Sequence, residues 1–291
     1  YGTVTGVQTC ALPIFRTANH TLHHERRGKR QMRDDMTQLI RTPHGTFDCP
    51  TYSVGMFNKL RTTGGFELPK LRQFFLWTRK HYPGPRKGVF VDIGANIGTT
   101  VIPALGSPMV TRGIAVEPAP FVFKCLERSI NASKVQNRVK AIHGACGAFD
   151  GETSLKLCPN NCGDNRLDHE VNKGFPWHTV RVPMMTLDSI WEREGLAEPP
   201  AFIWIDAQGA EPGILAGTQF RNDPRVPFFI EFFPPGLQDP EGFFKLLEAN
   251  WSAFIDAKDR KRYPVDHART MFAQMMKKKN AGIHTDLFMI R

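Results

Sequence analysis

Several signals that would classify a chain quickly are scarce or missing among these 291 residues. There are only six cysteines, too few for a disulfide-stapled scaffold of this length. No apolar run approaches the roughly 18–20 residues that a membrane-crossing helix needs. No internal repeat and no low-complexity tract interrupts the chain, and its start lacks the basic cluster and long apolar centre of a secretory signal. What is plentiful is hydrophobic side chain, at 41% of residues, which excludes wholesale disorder and is enough for one sizeable core.

Acidic residues are also unevenly missing. The formal charge of +10 would point to a polyanionic partner, but residues 1–88 hold 15 Lys and Arg against 5 Asp and Glu, and the rest of the chain is balanced at 23 of each. Much of the excess sits in Arg26, Arg27, Lys29, Arg30 and Arg33, in a stretch without apolar periodicity that reads as a solvated basic tail over residues 1–35. Few aromatics interleave with these charges, which argues against stacking on single-stranded bases. Residues 4–14 (VTGVQTCALPI) resemble a translated sequencing-library adapter, so Cys10 is set aside with them. The five remaining cysteines, an odd number, read as reduced thiols of a cytoplasmic protein.

Residues 36–87 read as an extension of short strand and helix packed on a core domain at 88–291. Within it, residues 44–50 suit a strand and turn, and residues 66–82 an amphipathic helix stopped by Pro83, Gly84 and Pro85, its aromatic stripe of Phe74, Phe75 and Trp77 turned to the core. From Gly88 onward short apolar runs alternate with helical stretches. Strands are expected at 88–93, 111–117, 138–143, 201–206, 226–233 and 284–290, with an inserted pair at 152–158 and 178–184. Helices are expected at 97–105, 119–133, 210–219, 239–250 and 266–279, the first distorted or shortened by Pro103. This alternation specifies an α/β fold, a parallel sheet covered on both faces.

The most informative segment is Val89-Phe90-Val91-Asp92-Ile93-Gly94-Ala95-Asn96-Ile97-Gly98. A buried strand ends in an acid and passes through a glycine-rich turn into a helix, at the strand end where α/β folds bind ligands. Gly94 permits close approach to the backbone, Asn96 either caps the helix or tolerates a left-handed turn, and Gly98 allows tight helix–strand packing. The spacing is not the Gly-x-Gly-x-x-Gly of dinucleotide binders. An acid ahead of the glycines repels a pyrophosphate and suits a cation, such as the sulfonium and ammonium of S-adenosylmethionine (AdoMet). Glu117, which closes the next strand 25 residues later, is placed to accept both hydroxyls of a ribose.

Four stretches in order, VFVDIGANIGTT (89–100), GIAVEPAPFVFKCLERSI (113–130), VPMMTLDSI (182–190) and FIWIDAQGAEPGILAG (202–217), resemble the FkbM family of AdoMet-dependent methyltransferases. The resemblance spans roughly residues 60–291. It implies a three-layer, doubly wound Rossmann-like class I fold, with a seven-stranded, mostly parallel sheet whose last strand is antiparallel. It also implies O-methylation of a hydroxyl on a small molecule, sugar or other natural product. Gln208 stands where the family often has Glu.

On this reading Asp92, Gly94, Ala95, Asn96, Gly98, Glu117 and Asp206 bind AdoMet, and Ala145, in the Gly144–Cys146 stretch, lies beside its adenine. Asp206, Glu231 and His143 end the fourth, fifth and third strands and are the candidates for removing a proton from the acceptor. Two rim carboxylates raise a Mg²⁺ site, but no third ligand is identifiable and no metal is assigned. Residues 161–166 form a polar loop suited to an acceptor, with Arg166 available to an acidic or sugar-like group. The expected partner is a small-molecule or glycan acceptor. A nucleic-acid methyltransferase using the basic tail is the enzyme alternative, although the Asn/Asp-Pro-Pro-aromatic signature is missing after the fourth strand. The non-enzyme alternative is an AdoMet-binding module without transfer. Removing residues 1–35 is expected to leave methyl transfer intact.

Overall fold

The computed structural model describes residues 36–84, 86–169, 174, 176–278 and 284–291. The basic tail and Cys10 lie outside the described residues, and the chain from Asp34 to Arg291 is one compact unit. It opens with an antiparallel hairpin, β1 (Thr37–Thr42) and β2 (Gly45–Pro50). Two helices follow, α1 (Val54–Thr63) and α2 (Leu68–His81).

The core alternates as the apolar runs imply: β3 (Gly88–Ile93), α3 (Val101–Ala104), β4 (Val110–Glu117), α4 (Pro120–Ala132) and β5 (Val139–His143). A separate four-stranded sheet comes next, built from β6 (Ala145–Cys146), β7 (Gly151–Leu157), β8 (Arg166–Leu167) and β9 (His178–Met185). The chain then returns to the main sheet through α5 (Leu187–Arg193), β10 (Phe202–Ile205), α6 (Glu211–Ala216), β11 (Phe228–Phe232), α7 (Pro240–Asn250), β12 (Ala253–Asp256), β13 (Arg262–Pro264), α8 (His267–Lys277) and β14 (Thr285–Ile290).

The main sheet has the order β13-β12-β14-β11-β10-β3-β4-β5, parallel from β11 to β5, with β14 antiparallel between β11 and β12. The last strand is therefore reversed, as the class I fold requires. The sheet has eight strands rather than seven, because the three residues of β13 fold back antiparallel on β12 at the edge. Neither β12 nor β13 stands out in the sequence, since runs of four and three residues are too short to show periodicity. Pro103, which lacks an N–H and cannot continue a helical ladder, accompanies a first helix of only four residues. Helix α1 is not evident in the sequence.

Side-chain alternation along the central strands creates two rows on one face of this sheet. Trp204, Phe229 and Phe288 lie in register as an aromatic row in the core, with the paired Phe90 and Phe202 one step behind. Two residues nearer the ligand end, on the same face, come Asp206, Glu231 and Asp286, whereas Asp92 lies one step lower, level with Trp204. Helix α2 lies over both rows. Its Phe74, fully buried, meets Phe202, Trp204, Phe229 and Phe288 with ring centroids 5.9, 5.8, 5.4 and 5.8 Å away. The opposite face of the sheet packs α5, α6, α7 and α8 through Val91, Ile203, Ile205, Phe228, Ile230 and Leu287.

Candidate functional site

The strand ends β3, β4 and β10 are laced together by backbone. Gly94 and Ala95 both donate to the Val116 carbonyl at 3.0 Å, and Asp206 donates to the Ile93 carbonyl at 2.9 Å. Gly94 has φ of +83°, and a Cβ added there would lie 1.8 Å from the Asp206 carbonyl oxygen, so any side chain would force the backbone apart. Asn96 has φ of 51°, the left-handed turn its side chain tolerates. Above these ends lies a cleft of about 570 Å³, within the usual range for a small-molecule site.

Of the sequence candidates, Gly94, Ala95, Asn96, Glu117, Ala145, Asp206 and Glu231 line this cleft. Glu117 is 5% exposed, and its two oxygens accept the N–H groups of Asn96 and Ala119, each at 2.9 Å. Each oxygen keeps a further lone pair. Burial pushes its carboxyl up to about 7.

Three candidates do not line the cleft. Asp92 is buried beneath it, accepting the N–H of Val101 at 3.0 Å, and thus secures the start of α3; burial pushes it up to about 8. Gly98 packs against Ile102 and Leu126, and its φ of +90° is one that L side chains rarely adopt. His143 turns aside to stack on Phe123 at 4.9 Å, with a ring nitrogen 3.2 Å from the Pro118 carbonyl. A residue at the end of a strand has two faces to choose from, and the sequence does not show which one the cleft occupies.

The carboxyl pair at the rim has a bridging donor. Gln208, with φ of 54°, gives one amide nitrogen to Asp206 Oδ1 at 2.9 Å and to the two Glu231 oxygens at 3.1 and 2.9 Å. Burial raises Asp206, with Lys70 and Gln208 acting against that rise. Burial raises Glu231 well above the carboxylate range, reinforced by Asp206, Glu211 and Asp286. The Glu-to-Gln departure noted in the sequence thus replaces what would be a third acid with a donor. Among the described residues, no group of three His, Cys, Asp or Glu is arranged to hold a metal.

Two walls of the cleft were not assigned to it from the sequence. Helices α1 and α2 contribute Met56 and Lys70, and the residues leading into them contribute Ser53, Phe66 and Glu67. Lys70 is one turn ahead of Phe74 in the buried stripe of α2, the one signal that could have marked it. The polar loop expected near the acceptor does line the cleft. It is pinned to the glycine turn by Cys162 Sγ donating to Asn96 Oδ1 at 3.4 Å, and to α1 by Ser53 Oγ donating to Asn161 Oδ1 at 3.2 Å. Its Arg166 pairs with Asp164 and lies 4.8 Å over the Phe233 ring. All five cysteines among the described residues are buried free thiols, and no helix there is long and apolar enough to cross a membrane.

Residues 92–262 match the model of the methyltransferase FkbM domain. Among solved structures, the chain is similar to a methyltransferase FkbM from Methylobacillus flagellatus at 14% identity and a TM-score of 0.42, covering 82% of this chain and 55% of that one. It thus spans about half of that relative's length. It is also similar to an O-methyltransferase from Bacillus cereus in complex with SAH (11% identity, 84% and 92% coverage, TM-score 0.37). A third similarity is to P. horikoshii TYW2 in complex with MeSAdo (11% identity, 88% and 70% coverage, TM-score 0.39). No protein of curated function matches the chain. With the family domain covering more than half of its length, the chain belongs to the FkbM methyltransferase family.

Proposed function

We propose that the chain binds AdoMet in this cleft and transfers its methyl group to a hydroxyl oxygen of a small-molecule, sugar or glycan acceptor. The observation that carries the reading is the cleft's charge. Glu117, Asp206 and Glu231 line it, and burial raises all three above their ordinary values. A buried site whose acids are forced toward neutrality favours a cationic ligand, which lets them ionise. A sulfonium with an α-ammonium fits that description, and a pyrophosphate does not. The spare lone pairs of Glu117 suit a ribose diol, and Ala145 lines the same cleft where a base would stack beyond the ribose.

AdoMet supplies an activated methyl on a good leaving group. The residues of the chain have two tasks, to align the acceptor oxygen and to take its proton. Asp206 accepts that proton. Its partner Glu231, raised further by neighbouring acids, carries a proton of its own and leaves one negative charge to the pair. Gln208 holds both carboxyls in register. A proton acceptor raised above its ordinary value is a stronger base than an ordinary carboxylate. On this reading residues 88–291 form the AdoMet-binding domain and residues 36–87 an extension that supplies part of the acceptor wall.

Titration calorimetry with AdoMet and with NAD tests the proposal. AdoMet binding without NAD binding is expected; the reverse would overturn it. A screen of hydroxylated acceptors with methyl-labelled AdoMet then identifies the oxygen that is methylated.

A further inference from the structure

Outside the family-matched residues, two segments meet at the acid row. Lys70 of α2 places Nζ 2.7 Å from Glu67 Oε2 and 2.8 Å from Asp286 Oδ2. Asp286 on β14 lies directly opposite Glu231 on β11, and directly opposed side chains in an antiparallel pair are near neighbours. Gln208 carries the connection from Glu231 to Asp206. The result is a continuous line from a half-buried ammonium to the carboxyl pair at the rim.

We propose that Lys70 is a positioning residue that fixes the charge of the Asp206–Glu231 pair, holding it at one negative charge through Asp286. The inference rests on reading that pair as the proton acceptor. Phe74 locks α2 against the aromatic row, and Lys70, one turn earlier, is thereby delivered to the acid row. The groups facing the pair are mostly acids: Asp92 from β3, Glu117 from β4, Glu211 from α6, Asp286 from β14 and Glu67 just ahead of α2. His284 also lines the cleft, and Arg166 is engaged with Asp164. Burial alone would lower Lys70, but Asp286 and Glu67 hold it above its ordinary value, so it stays charged at any pH at which the enzyme works. A permanent cation there favours ionisation of the acids beside it.

Sulfonium AdoMet and neutral S-adenosylhomocysteine are the probes, and the readout is the ratio of their dissociation constants against pH. The preference for AdoMet should rise as the pair ionises. In Lys70→Met the midpoint of that rise should move up by about one pH unit, the direction of losing a nearby cation. Lys70→Arg should restore it. Asp286→Asn should move it down, because an acid beside Glu231 is gone while the ammonium remains. Opposite shifts from the two ends of one ion pair are not what lost packing produces, and a melting curve on each variant confirms folding. An unchanged midpoint in folded Lys70→Met, or shifts of the same sign in Lys70→Met and Asp286→Asn, would overturn the inference. Failure of the wild type to bind AdoMet would instead overturn the proposed function.

Discussion

Replacing Gly94 by Ala tests the geometry on which the cleft depends. The new Cβ would stand 1.8 Å from the Asp206 carbonyl oxygen, on a backbone at φ of +83°. The left-handed conformation costs about 1–2 kcal/mol for a residue with a side chain. The contact must also open by about 1.5 Å to reach van der Waals distance, and overpacking of that kind costs about 1–3 kcal/mol more. Only backbone is available to move, since the clash is with a carbonyl and not with a flexible side chain. The total of about 2–5 kcal/mol leaves a domain of this size folded, with its melting temperature lowered by roughly 5–15 °C. Because the displaced segments are the two that flank the cofactor end, AdoMet affinity should fall about 100-fold, the equivalent of one or two charge-assisted hydrogen bonds. Circular dichroism melts and titration calorimetry read both effects. Gly195→Ala is the control, because Gly195 has φ of +64° with nothing within 4 Å of the added Cβ. It should lose stability and keep AdoMet affinity. A Gly94→Ala protein that binds AdoMet within about threefold of wild type would refute the account of the turn.

Other outcomes follow from the buried acids. Asp92→Asn keeps an acceptor for the Val101 N–H and removes an ionisable group beneath the cleft, so AdoMet affinity should change by less than about threefold, whereas Asp92→Ala should destabilise the start of α3. A large affinity loss in Asp92→Asn would return Asp92 to the cofactor site. Asp92, Glu211 and Asp286 are raised to about 8, 7 and 6, so in each the neutral form is the one the fold favours. Their contribution to stability is complete below the ordinary carboxylate range and is lost as pH rises through 6 to 8. Urea denaturation of the free protein should therefore show lower stability at pH 8.5 than at pH 5.5, and a rise over that window would contradict the burial of these groups. Asp206→Asn should cut turnover in the acceptor screen far more than it weakens AdoMet binding, and a fully active variant would remove Asp206 as proton acceptor.

The parts of the site legible in the sequence are those encoded within a few residues. The Gly94-to-Gly98 turn, Glu117 at the end of β4 and Asp206 at the end of β10 each follow from an apolar run that stops at a polar residue, and each reaches the strand ends where expected. The parallel core was legible for the same reason. What escaped depends on register between distant segments. Asp286 gains meaning only because β14 runs backwards beside β11 and sets it against Glu231. Lys70 gains it only because Phe74 sets how α2 lies on the sheet. Gln208 looked like the loss of an acid, and its role as a donor between two carboxyls emerges when the loop after β10 is seen beside the end of β11. Asp92 and His143 mark the converse limit: being at the end of a strand does not decide whether a side chain points into the cleft, under it or to one side.

Helix α2 carries core and chemistry on one turn-to-turn ladder, and this limits how the family domain can be re-engineered. An acceptor-binding segment from another protein cannot simply be exchanged for residues 36–87, because Phe74 leaves with Lys70. A graft that refills the aromatic socket but presents an uncharged residue one turn earlier should give a well-folded protein with a mistuned cleft. A graft that restores the ammonium on a helix seated differently would aim it past Asp286. By the same coupling, a substitution that reseats Phe74 under the aromatic row should also move Lys70 relative to Asp286.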